Sequence, residues 1–364
     1  MKKRVLILAN NASGLYDFRN ELLLKLLEEY EVHVSLPDEE DVPEIQEEGC
    51  IVHHTFLERR GMNPLKDSKL LLDYFQLLHQ VKPDVVLTYT IKPNIYGSLC
   101  CRLKKIPYIV NVTGLGSAFE KDGLLRKLVI CLYQTALKKA DCIFFQNSRN
   151  RDLFEKFGIK GKKVRLVPGS GVNLTRHIFE EYPPEKDPVI FIFVGRIMKE
   201  KGIDELLFVA EKIKQEYPGV IFQIIGSYEE DYKEIIEKLQ QEDIVKFIGY
   251  QKIIHPFYKN ASVVIVPSYH EGMSNVILEA ASTGRPVLAS DIPGCKEGFD
   301  DGITGIGFPP HDKLALYEAV ERFLNLSYES RKEMGSRARK KIEMEFDRNI
   351  VIESYMEEIN HLIS

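Results

Sequence analysis

The chain holds six cysteines in 364 residues, at positions 50, 100, 101, 131, 142 and 295, and no two form a Cys-x-x-Cys pair. That spacing excludes a disulfide framework and a zinc site and fits a reducing compartment. No apolar stretch approaches the about 18 residues that a membrane-spanning helix needs. The start, Met1-Lys2-Lys3-Arg4, is basic, but the apolar run at 5–9 is too short for a signal peptide and reads as a first strand. There is no internal repeat and no low-complexity segment. Gly114-Leu-Gly116-Ser-Ala-Phe119 imitates part of a dinucleotide fingerprint, but the third glycine is missing, which argues against a nicotinamide cofactor.

What is present is a soluble, globular composition, 44% hydrophobic and 28% charged, in a chain long enough for two cores. Short apolar or β-branched runs at 5–9, 32–36, 51–54, 85–89, 108–112, 142–146 and 163–167 alternate with helical patterns such as 22–30 and 70–81. After a Pro- and acid-rich stretch at 178–187 the alternation restarts at 189–194, 221–225, 245–248, 263–266 and 286–289. This is an α/β chain with two doubly wound parallel sheets. The boundaries read as a first domain over 1–177, a linker over 178–187 and a second domain over 188–347. An amphipathic helix at about 348–364 is placed to pack back on the first. Such domains bind ligands at the carboxyl ends of their strands, here expected to face a cleft. Residues 51–176 hold 22 Lys and Arg against 9 Asp and Glu, in a chain of net charge −5, so one face is built to meet anions. No feature points to nucleic acid as a partner.

The segment Ser268-Tyr-His-Glu271-Gly-Met273-Ser274-Asn275-Val-Ile-Leu-Glu279 follows the apolar run 263–266 and Pro267. A helix is expected to start near Ser274 and Asn275, both good N-caps, and to stop at Gly284 before Pro286. Free N–H groups at a helix start attract phosphate or sugar oxygens, and carboxylates on either side, Glu271 and Glu279, can accept from hydroxyls. That geometry suits a ligand carrying both a diphosphate and hydroxyls, such as a sugar nucleotide. A second constellation ends the run 189–194: Gly195-Arg196, then Lys201-Gly202 before a helix expected near Asp204. Arg grips a diphosphate with two parallel hydrogen bonds and Lys adds a compact charge. Gly226 and Gly249 also end runs, where the lack of a side chain lets a ligand come close. In the first domain the small-residue loop 9–14, with Ser13 and Gly14, leaves room above the sheet before a helix opening at 15–19. Residues 121–139 read as a helix with Leu124, Leu125, Leu128, Leu132 and Tyr133 on one face and Arg126, Lys127, Lys138 and Lys139 around it, a pattern that suits a membrane interface.

Gly195-Arg196 with Lys201-Gly202, Pro267-Ser268 and Glu271-x7-Glu279, together with Val167-Pro-Gly-Ser-Gly-Val-Asn173, resemble the retaining glycosyltransferases of family four, which have the GT-B fold. The resemblance covers nearly the whole chain. The stretches 11–19 and 112–117 are similar to bacterial enzymes that build on undecaprenyl-diphosphate-linked sugars: N-acetylgalactosaminyltransferases, galacturonosyltransferases and capsule transferases. The resemblance implies that Arg196 and Lys201 hold the donor diphosphate and that Glu271 orients the donor sugar. It implies that Glu279 accepts from the nucleotide ribose, and that backbone N–H groups of Met273, Ser274 and Asn275 meet sugar and phosphate oxygens. Gly195 stands at the donor site, Gly249, Tyr250 and Gln251 line the base pocket, and Ser13 and Gly14 close on the phosphates or the acceptor. Many members carry a His after the fifth strand of the first domain, where this chain has Thr113-Gly114.

The activity implied is transfer of an N-acetylhexosamine or hexuronic acid from a UDP-sugar to a lipid-linked saccharide in surface polysaccharide or glycan assembly. The enzyme would be cytoplasmic and peripheral on the inner face of the plasma membrane, held there by the basic first domain. Fixed cations at the leaving phosphate lower the barrier electrostatically, and the carboxylate pair of a retaining glycoside hydrolase is not found. No metal or other cofactor is implied, since Arg and Lys take its role, and Asp38-Glu-Glu-Asp41 reads as an acidic loop. Two other readings share the composition: a UDP-sugar epimerase of similar fold, which needs paired acid and base residues, and a non-catalytic sugar-nucleotide-binding module.

Overall fold

A computed structural model describes residues 2–37, 41–58, 63–114 and 123–364. Most of the acidic loop 38–41, Gly116 with the rest of 115–120, and the first two residues of the expected helix 121–139 lie outside them. The chain divides into two units. Unit 1 is residues 1–170 with 349–364, and unit 2 is residues 171–348.

Unit 1 is a seven-stranded, all-parallel sheet: β1 (Arg4–Leu8), β2 (Glu31–Leu36), β3 (Ile51–His54), β4 (Val85–Tyr89), β5 (Tyr108–Val112), β6 (Cys142–Phe145) and β7 (Val164–Leu166), in the order β3-β2-β1-β4-β5-β6-β7. Its central strands are buried along their length, as near-continuous Val, Ile and Leu runs require when helices cover both faces. One face is packed by the helix Ala12–Glu29 and by Val351, Ile352, Tyr355, Met356 and Ile359 of the helix Arg348–Ile363. The other is packed by the helices Pro64–Val81 and Leu124–Leu137.

Unit 2 has six parallel strands: β8 (Ile190–Val194), β9 (Ile221–Ile225), β10 (Lys246–Gly249), β11 (Val263–Val266), β12 (Val287–Ser290) and β13 (Gly305–Phe308), in the order β10-β9-β8-β11-β12-β13. Chain direction across the sheet reverses between β8 and β11, so the loops after these two strands flank the switch point. Strand β13 has no counterpart in the sequence pattern.

The stretch 178–187 reads as a linker by composition but is bound to unit 2. Tyr182 is buried with its hydroxyl donating to the Ser262 carbonyl at 3.0 Å, and the buried Arg285 guanidinium donates to the carbonyls of Glu180 and Glu181. Proline and charge make a segment look unstructured; the carbonyls they leave unpaired are taken up here by an arginine 105 and 104 residues away in sequence. The helix expected over 121–139 runs Leu124–Leu137 and has a buried and an exposed side. Val129, Tyr133, Ala136 and Leu137 enter the core, while Leu124, Leu125 and Leu128 face outward, Leu124 at 85% exposure. Among the described residues no helix is long and apolar enough to cross a membrane.

Candidate active site

The site in unit 2 is built by backbone collisions that only glycine avoids. Gly226, at φ 152°, would place a Cβ 1.8 Å from the Gly195 carbonyl oxygen, so the loop after β9 lies directly on the loop after β8. Two backbone bonds fasten them, Gly195 N–H to the Ile225 carbonyl and Ile197 N–H to the Ser227 carbonyl. Gly202, left-handed at φ 73°, would meet the Pro267 carbonyl oxygen at 2.1 Å. A short 3-10 turn, Lys199–Lys201, leads into it, and the helix Ile203–Glu216 leads away. That close approach sets Lys201 against the loop after β11.

There Lys201 Nζ lies 2.6 Å from Glu271 Oε1, and the Ser268 hydroxyl donates to the same oxygen at 2.8 Å. The side chains of Lys201 and Glu271 are mostly but not fully buried, so they remain reachable by a ligand. Among the described residues Glu271 Oε2 has no partner, which leaves it to accept from a hydroxyl. Arg196 stands apart from this pair. Its guanidinium is half-exposed and lies 3.7 Å from Glu229 Oε1 across the neighbouring loop.

The helix after the loop is Asn275–Ser282, with Ser274 at its N-cap. Of the three backbone N–H groups expected to meet a ligand, that of Ser274 is already used. It donates to the Gly294 carbonyl at 2.7 Å, because the loop after β12 crosses the helix start. Met273 and Ser274 are themselves buried, Met273 among Leu278, Ala338 and Ile342. Glu279 lies one turn into the helix. Its Oε2 accepts from the Tyr258 hydroxyl at 2.9 Å, and its Oε1 lies 4.0 Å from His177 Nε2. Burial holds the His177 ring down to a pKa of about 3, with Arg176, His255 and Arg348 adding to the effect, so this approach is not an ion pair near neutral pH. At the edge strand β10, Gly249 turns at φ 78° and its carbonyl accepts from Gly226 N–H. Tyr250 points to solvent and Gln251 is half-buried.

In unit 1, Ser13 and Gly14 lie in the first turn of the helix Ala12–Glu29 rather than in a loop; Asn11 stands before it at the N-cap position in extended conformation, without a side-chain capping bond. A Cβ on Gly14 would meet Asn11 Oδ1 at 2.6 Å. Thr113 and Gly114 follow β5, half-buried, two strands from β1 on the same carboxyl edge of the sheet. Among the described residues no three His, Cys, Asp or Glu side chains converge as a metal site requires.

Residues 175–341 match the family described as glycosyl transferases group 1, and residues 4–147 match that described as glycosyl transferase 4-like. The chain is a GT-B glycosyltransferase. Among its relatives is the N,N'-diacetylbacillosaminyl-diphospho-undecaprenol alpha-1,3-N-acetylgalactosaminyltransferase of Campylobacter jejuni, 23% identical over 99% of both chains. The capsular polysaccharide biosynthesis glycosyltransferase CapM of Staphylococcus aureus is 26% identical over 89% of this chain and 88% of its own. HepE of Anabaena, solved in complex with UDP and glucose, has the same fold at a TM-score of 0.80 and 16% identity, over 99% of this chain and all of the other.

Several residues of this glycosyltransferase that shape the site carry no signal in the sequence. Glu229 and Gly294 act through contacts between loops well separated in the chain. Tyr258 and His177 reach Glu279 from 21 and 102 residues away.

Proposed function

We propose that this glycosyltransferase moves a sugar, an N-acetylhexosamine or hexuronic acid, from a UDP-sugar to a lipid-linked saccharide with retention at the anomeric carbon. The observation that carries the reading is the double engagement of Glu271 Oε1 by Lys201 and Ser268. A carboxylate bound this way on one oxygen is a poor nucleophile and a well-oriented hydroxyl acceptor. It therefore holds the donor sugar, and Lys201 beside it meets the diphosphate. Arg196, weakly held by a partly exposed glutamate, turns to the same phosphates. Glu279 takes the ribose, Tyr250 and Gln251 line the base, and unit 1 takes the acceptor near Ser13, Gly14, Thr113 and Gly114.

In the transfer the C1–O bond to the β-phosphate breaks as the acceptor oxygen bonds to C1 on the same face. The bonding pair leaves with UDP, and the acceptor's proton passes to the departing phosphate oxygen. Lys201 and Arg196 stabilise the charge that gathers on that phosphate. They stand where other transferases use a divalent ion, so EDTA leaves the rate unchanged; loss of activity in EDTA, restored by Mg²⁺ or Mn²⁺, overturns that part.

The acceptor class follows the relatives, whose activities include an undecaprenol-linked substrate and capsule assembly. Exposed Leu124, Leu125 and Leu128, beside Lys127, support contact of unit 1 with the membrane that carries such an acceptor. The deciding experiment is a panel of UDP-sugars incubated with and without an undecaprenyl-diphosphate saccharide. UDP release that depends on the acceptor is expected. Equal release without acceptor, or a change of the donor sugar with no transfer, overturns the proposal.

A further inference from the structure

We propose that Tyr258 is the positioning residue for Glu279 and, through it, for selection of a ribonucleotide donor. The Tyr258 hydroxyl fixes Glu279 Oε2 and thereby sets how the carboxylate presents its other oxygen to the ribose hydroxyls. The inference rests on the reading above that Glu279 accepts from the ribose.

The geometry is unusually constrained for a single phenol. Tyr258 lies on the short helix His255–Asn260 and is completely buried, in one apolar cluster with Ile192, Val264, Val266 and Ile277. Its backbone carbonyl accepts from Arg285 Nε at 2.9 Å. Arg285 is itself fully buried and donates to four further carbonyls, those of Glu180, Glu181, Lys259 and Gly284. The ring therefore cannot follow a moving carboxylate; the carboxylate must follow the ring. Burial and the nearby Glu279 charge both push the phenol's pKa well up, so it stays protonated and donates. His177 lies on the other side of Glu279, but at 4.0 Å and neutral it supplies a wall rather than a charge-assisted bond. Glu279 is thus a partly exposed carboxylate on a helix whose Oε2 is held by an immobile donor. Without that bond Oε2 loses its fixed place, and the angle at which the carboxylate meets the ribose hydroxyls is no longer set.

The test compares UDP, 2′-deoxy-UDP and 3′-deoxy-UDP by calorimetry on the wild type, Tyr258→Phe and Glu279→Gln, with melting temperatures recorded for each. The wild type should prefer UDP to at least one deoxy analogue by about 10-fold or more, the scale of a hydrogen bond to a charged group. Glu279→Gln should remove most of that preference. Tyr258→Phe should cut it to about 3-fold or less while UDP-sugar KM rises and kcat changes by less than about 2-fold, the signature of lost uniform binding. Tyr258→Met, which also removes the hydroxyl, should behave alike and serves if the phenylalanine variant is unstable. A Tyr258→Phe protein that keeps the wild-type preference while Glu279→Gln loses it overturns the role of Tyr258 alone. A Glu279→Gln protein that keeps the preference overturns the reading of Glu279, and the role of Tyr258 with it.

Discussion

Lys201 and Arg196 follow the same strand but are held differently, and the difference is testable. Lys201 is mostly buried and paired with Glu271, whereas Arg196 is half-exposed beside Glu229. Lys201→Ala and Arg196→Ala should each weaken UDP binding and lower turnover by about 10²-fold or more, as for loss of one fixed electrostatic donor. Calorimetry with UDP and an assay of UDP release check both; wild-type affinity in both variants sinks the assignment. His177 gives a pH dependence. Its folded pKa of about 3 lies below the unfolded value near 6.5, so the unfolded chain binds more protons between them. Stability from this group is complete above about pH 6.5 and is lost as pH falls toward 3. Urea unfolding at pH 7.5 and 5.0 should show the acid loss in the wild type and a smaller one in His177→Gln. Glu271 and Glu279 were legible from their spacing and from the strand, Pro-Ser and helix around them. The engaged amide of Ser274 was not, because its partner carbonyl comes from the next strand's loop and leaves no periodic trace. Tyr258 was hidden for the same reason: to a hydrophobic pattern it is one more core aromatic.

The helix Leu124–Leu137 shows how an element can satisfy two solvents. It packs in unit 1 through Val129, Tyr133, Ala136 and Leu137, and its first turns leave three leucines outside. Replacing Leu124, Leu125 and Leu128 by serine together should reduce sedimentation with anionic vesicles and slow transfer to a lipid-linked acceptor. It should lower the melting temperature only modestly, since Leu124 is largely exposed and Leu125 and Leu128 are half-exposed. If the wild type does not sediment at low salt, the exposed leucines have another role. The apolar and basic character of the segment could be read from sequence. The split into a core half and an outer half could not, because Leu128 and Val129 are equally apolar and only the fold decides which faces in. Strand β13 escaped for a different reason: Gly305 and Gly307 occupy alternate positions in it, and glycine has no strand preference to read. Ser13 and Gly14 read as loop because small polar residues do not resemble a helix start, although Asn11 before them holds the N-cap position.

At the scale of the whole molecule, two parallel α/β units were legible because every long buried strand is a β-branched run, while the point of division was not. Unit 1 is completed by the end of the chain. Tyr355 is almost fully buried, its ring 4.5 Å from that of Phe144 and its hydroxyl bonded to Asn111. Tyr355→Ala should cost about 3–5 kcal/mol, as for an aromatic removed from a core. Calorimetry should show the transition of unit 1 falling while UDP still raises that of unit 2; a shift in the UDP-sensitive transition instead would contradict the division. The discontinuity of unit 1 also bears on the order in which the protein is made. A ribosome releases residues 1–170 first, yet the part of that sheet face at Tyr89 and Phe144 stays without its Tyr355 cover until residues 349–364 emerge. Unit 2, continuous in the chain, can close while unit 1 is still open, so the half translated first is finished last. Nascent chains stalled before residue 349 should be cut by protease within unit 1 and resist it within unit 2.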